Sequence, residues 1–153
     1  MFDFEMWQLL SYIVTVVGLP FAIGVFIYQQ HKERNNEEEA VYELLAENYQ
    51  DFLKVALQNS DLMLFAEDPT PNLTDEQRQR MTILFSMLVS LFERAYLLLH
   101  EKRMSRQQKR LWLSWEDYMR EWCRRGDFRD ALPDLLFGED DDFQKYIREL
   151  AGI

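Results

Sequence analysis

Two histidines, one cysteine, five glycines and four prolines are all that this chain of 153 residues holds of the types that build metal sites, disulfides, phosphate loops and tight turns. His31 and His100 stand far apart, and neither belongs to an H-x-x-x-H, E-x-x-H or Cys–His spacing, so zinc and di-iron bundle sites lack their usual ligands. Cys123 has no partner for a disulfide within the chain, which agrees with a reducing compartment. No Walker loop or G-x-S-x-G elbow occurs among the glycines. Acids such as Glu93 and Asp117 stand beside no recognisable nucleophile, metal or cofactor loop. The chain is therefore expected not to be an enzyme and to carry no cofactor or metal, and no small-molecule substrate is identified. Alternating strand patterns and hairpin turns are missing as well, so the expected fold class is all-α.

Basic residues are absent before Lys32, and charge of either sign is absent between Trp7 and Tyr28. As a helix these uncharged residues, about 22 of them, would be about 33 Å long, enough to span a bilayer. A cleaved signal peptide fits poorly, because the leader holds Asp3 and Glu5 instead of basic residues and the apolar core is too long. Lys32 and Arg34 follow the stretch, which predicts an outside amino terminus and a cytoplasmic remainder. Trp7, Tyr12 and Tyr28 suit the two headgroup regions. The expected organisation is an anchor with a short external leader over residues 1–31 and a cytoplasmic helical bundle over 32–153, held single-pass at the inner (plasma) membrane.

Helical periodicity accounts for the rest. Val41, Leu45, Tyr49, Phe52 and Ala56 fall at spacings of three and four, giving one apolar stripe. No proline or glycine lies between Gly24 and Asp68, so this helix can continue the anchor; the prolines of the 66–72 segment give the first break. Thr74 with Gln77, and Ser105 with Gln108, read as capping boxes that open two further helices. The first runs through the apolar 81–99 stretch, the expected core centre; a second membrane span there is disfavoured by Glu93, Arg94 and charged flanks. The second places Trp112, Trp115, Met119 and Trp122 on one heavy face, read as core, and Gly126 is its expected C-cap. Two short helices follow, the last with aspartates at its start and Gly152 at its end.

Charge supplies further candidates. The chain carries a formal net charge of −10, and a surface so acidic is expected to repel nucleic acid and anionic leaflets. Glu93 and Arg94 are candidates for a buried ion pair, with each other or with Asp117 or Arg120 of the tryptophan helix. Lys102, Arg103, Arg106, Lys109 and Arg110 are expected to pair with the acidic run at 139–142. Two short matches carry no weight: Arg125-Gly126-Asp127 spells an integrin-binding tripeptide, and Asn72-Leu73-Thr74 a glycosylation sequon, neither usable on the cytoplasmic side.

Within the apolar stretch, Gln8, Ser11, Thr15, Gly18, Ala22, Val25 and Gln29 recur at spacings of three and four. Small and polar residues on one face let helices approach and bond in lipid, so self-association, or pairing with another membrane protein, is expected. The whole reads as a membrane-tethered interaction or scaffold module. The alternative is an oligomeric pore lined by that polar seam.

Overall fold

The computed structural model describes the backbone from Phe4 to Ile153 and the side chains from Pro20 onward. Five α-helices and one 3-10 turn make up its regular structure, and no strand occurs among the described residues. The chain is all-α, with α1 at Phe4–Gln58, α2 at Asp75–Leu99, α3 at Arg106–Arg124, α4 at Gly126–Leu135 and α5 at Asp141–Ala151. It divides into two compact units, Met1–Ala40 and Val41–Ile153.

In the first unit α1 continues through Pro20. The side chains of Phe21, Ile23, Phe26 and Ile27 are all exposed, each by half or more of its surface. Residues 7–19 of the expected span, with Gln8, Ser11, Thr15, Gly18 and the Trp7 anchor, lie outside the described side chains.

The second unit is built around α2, whose Leu84, Phe85, Leu88, Val89, Phe92 and Ala95 are buried. Helices α3, α4 and α5 all pack on it, and α3 packs on α4 and α5. Among the described residues α2 is the one helix long and apolar enough to cross a membrane. Here its inward face is filled by the tryptophan stripe and by Phe128, Leu132, Phe143 and Ile147. The second half of α1 completes the core with Leu45, Phe52 and Ala56, the positions that its periodicity marks.

Local chemistry sets the helix ends. Thr74 Oγ1 accepts from Gln77 N at 3.2 Å while Gln77 Oε1 accepts from Thr74 N at 2.9 Å. Ser105 and Gln108 repeat the arrangement, so both starts satisfy donors that a bare helix leaves unpaired. Asp140 caps α5 by accepting from Asp142 N and Phe143 N. Gly152, at φ 72°, ends it in the left-handed conformation that favours glycine. Gly126 corrects its expected role. The C-cap of α3 is Arg125, in extended conformation, and Gly126 is the first residue of α4. The corner needs no left-handed residue because the chain turns on the Arg125 backbone.

Trp115 lies at the centre, 1% exposed, with ring contacts to Tyr49 and Tyr118. The 41–153 unit is expected to fold alone as a helical domain. Within it Trp115→Ala should lower unfolding free energy by about 3–5 kcal/mol, as truncation of a core aromatic does. Urea titration followed by circular dichroism measures the loss; an unchanged midpoint would show that the stripe is not core.

Candidate functional site

The loop between α1 and α2 is short of regular structure but not of order. Arg125, 4% exposed, reaches it from the α3–α4 corner. Its Nη1 donates to the carbonyls of Met63 at 2.7 Å and Ala66 at 3.1 Å, and its Nη2 to Thr70 Oγ1 at 3.0 Å. Asp127 closes the clamp with both carboxylate oxygens, at 2.7 Å from Nε and 2.9 Å from Nη2. Such a planar, two-pronged pair fixes orientation as well as charge. Thr70 Oγ1 donates in turn to the Leu62 carbonyl. The tripeptide that spells an integrin ligand is thus a structural tie, with its guanidinium buried.

Held by this tie, the loop turns apolar side chains outward. Met63 sits at φ 45°, a left-handed conformation unusual for its type, and is 54% exposed; Phe65 is 64% exposed and Leu57 of α1 is 78% exposed. Beside Phe65 opens a cleft of about 530 Å³, lined by Tyr49, Leu64, Tyr118 and Trp122 with Glu67 and Arg124 among its polar members. Phe65 meets Trp122 edge-on at 5.3 Å between ring centres. Trp122 Nε1 donates to Tyr49 Oη at 3.4 Å. Burial pushes the Tyr49 hydroxyl above its ordinary range, the bond from Trp122 opposing that shift.

The expected ion pair of Glu93, Arg94 and Asp117 is replaced by a different arrangement. Arg94 and Asp117 are exposed, and no salt bridge joins any of the three among the described residues. Glu93 instead accepts from the backbone N of Asp140 and shares a side-chain hydrogen bond with Glu139. That bond requires a proton, so Glu139 is pushed up to about 7, first by Glu93 and then by burial. Arg94 lines a shallow groove with Asp51 and Ser90. Nearby residues of α3 and α5 make a second polar knot: Tyr146 Oη donates to Glu116, which also pairs with Arg120 at 2.6 Å. Burial works against the Glu116 ion, but these donors outweigh it and leave its acidity increased.

Other expected positions lie apart. Ala22 and Gln29 of the seam are exposed on α1, as are Tyr28 and Lys32, and Arg34 pairs with Glu38 at 3.5 Å. Cys123 is buried, and desolvation pushes its thiol up to about 12, which makes it a poor nucleophile. The described residues hold no group of three or more His, Cys, Asp and Glu arranged for a metal ion. Sequence reasoning missed the Arg125 clamp and the carboxyl pair, since both join residues far apart in the chain.

No protein-family model, curated protein or solved structure matches the chain.

Two outcomes follow from these ties. Asp127→Ala leaves a buried guanidinium half-paired, and breaking buried pairs costs about 3–5 kcal/mol; limited proteolysis should then cut the 62–70 loop, which the native clamp protects. A carboxyl whose folded pKa is raised gives stability that is complete below its unfolded value of about 4.5 and lost as pH rises through about 7. Glu139→Gln keeps a neutral donor for Glu93 at every pH. The stability difference between variant and native protein should therefore grow in favour of the variant from pH 4.5 to 7.5 and then level off; a flat difference would rule out the shared proton.

Proposed function

We propose that the chain is a membrane-tethered interaction module without catalytic activity. Residues 7–28 anchor it in the inner (plasma) membrane with the amino terminus outside, and the 41–153 unit works at the cytoplasmic face as a docking platform for a protein partner. The single observation that carries this reading is the exposed apolar group of Leu57, Met63 and Phe65, beside the Tyr49–Trp122 cleft and held outward by the buried Arg125 clamp. Exposed apolar side chains fixed on an ordered loop are costly to solvate and mark interaction surfaces more often than chance does. The anchor draws support from the uncharged 7–28 run and from the exposed apolar side chains of Phe21, Ile23, Phe26 and Ile27. Pairing of the anchors along Gln8, Ser11, Thr15, Gly18, Ala22 and Gln29 would make the module a homo-oligomer or join it to another membrane protein.

Two measurements test the proposal. A carboxy-terminal fluorescent-protein fusion should glow and a phosphatase fusion should stay inactive; the reverse pattern would place the platform outside. A photo-crosslinker in place of Phe65 should yield one discrete adduct in cells, and that adduct should persist when residues 1–30 are exchanged for an unrelated anchor. Loss of the adduct on exchange, together with ion flux in reconstituted vesicles, would favour a pore built from the seam.

A further inference from the structure

The charge of this chain is not evenly spread. Lys102, Arg103, Arg106, Lys109 and Arg110 place five cations within nine residues, and no Asp or Glu occurs between Glu101 and Glu116. The expected partners at 139–142 do not meet them. Glu139 is engaged with Glu93, Asp140 caps α5, and none of the five cations makes an ion pair among the described residues. All five are exposed.

Helix geometry gathers them. Arg106, Lys109, Arg110 and Leu113 lie at i, i+3, i+4 and i+7 of α3, one stripe opposite the buried Trp112, Trp115, Met119 and Trp122. Gln108 Nε2 donates to the Leu99 carbonyl at 3.3 Å, which ties the start of α3 to the end of α2. That end carries Leu97 and Leu98, 56% and 48% exposed, and Leu113 is 45% exposed. Cations and leucines thus flank one corner.

These cations do not serve the helix that bears them. The first turns of α2, α4 and α5 hold acids, as the helix dipole favours, whereas that of α3 has none and begins with Arg106. Basic residues there oppose the dipole and add their charge to its positive end. We propose that this corner, the loop before α3 with its first two turns, is a second membrane contact: a docking face for an anionic phospholipid leaflet.

Lipid fits the chemistry better than other polyanions. A leaflet meets one face of the domain and leaves the acidic remainder in water, while a nucleic acid strand that wraps the domain would meet the excess of 21 Asp and Glu over 15 Lys and Arg in residues 41–153. Lysine and arginine stems lie along the headgroup layer, and leucines beside them enter the acyl boundary, which a soluble anion does not reward. The contact revises the expectation that an acidic domain stands clear of the membrane, because at this corner five cations face one exposed acid, Glu101. It goes beyond the anchor reading and is separable from it.

The test uses the full chain with a polarity-sensitive fluorophore on Leu113→Cys; Cys123 is buried and stays unlabelled. Vesicles are pure phosphatidylcholine or contain about one third phosphatidylglycerol, each with doxyl lipid as quencher. The expected result is blue-shifted, quenched emission in anionic vesicles only, reversed by salt at about 0.5 M and absent from a label on Lys54→Cys. Arg106→Glu with Arg110→Glu should return emission to the neutral-vesicle value. Those acids suit the helix start, so a folded circular-dichroism spectrum is expected to accompany the loss. A water-like label in anionic vesicles, or equal quenching in neutral ones, overturns the proposal; so does an equal shift on inorganic polyphosphate without lipid, which would make the corner a soluble-anion site. Flotation with neutral vesicles in high salt reports the anchor alone, so failure of either reading shows separately.

Discussion

The buried Arg125 guanidinium is the constraint on which the described fold turns. It joins two stretches that sequence separates: the connection from α1 to α2 and the corner from α3 to α4. A charge removed from water needs every donor matched, and here two backbone carbonyls, a hydroxyl and a carboxylate supply the match. The connection consequently runs in one path, although it has little regular structure and a methionine in a left-handed conformation.

Packing explains why α2, apolar around most of its circumference, is shared among so many neighbours. Its inward residues meet α3, α4 and α5 in turn, and aromatic edges fill the junctions, with Phe85 against Trp122 and Phe128, and Tyr96 against Trp112. Edge-to-face pairs add specificity to burial, because the ring quadrupoles prefer that geometry. A core of this kind fixes α3 in rotation, and so decides which of its faces is left to solvent.

Local signals were legible in the sequence and distant ones were not. The Thr74 and Ser105 caps, the Leu45–Phe52–Ala56 stripe and the tryptophan face each depend on residues within a turn or two, and each stands where the spacing placed it. The C-cap at Gly126 did not, because the preference for glycine at helix ends yields when the next helix begins at once. Arg125 with Met63, and Glu93 with Glu139, are joined across intervals of 62 and 46 residues, and no periodicity encodes such meetings. The five cations of the α3 start were visible, but their lack of partners was a property of the fold.

Two carboxyls that hold one proton between them give the folded domain an ionisation state that its unfolded chain does not share. With Glu139 pushed up to about 7, near neutrality the native form retains part of a proton that the open chain releases, so the formal charge of −10 overstates what the folded protein carries. Folding in neutral solution is accordingly an act of proton uptake. The heat measured for it will depend on the ionisation enthalpy of the surrounding buffer, and the domain will itself buffer weakly near neutral pH.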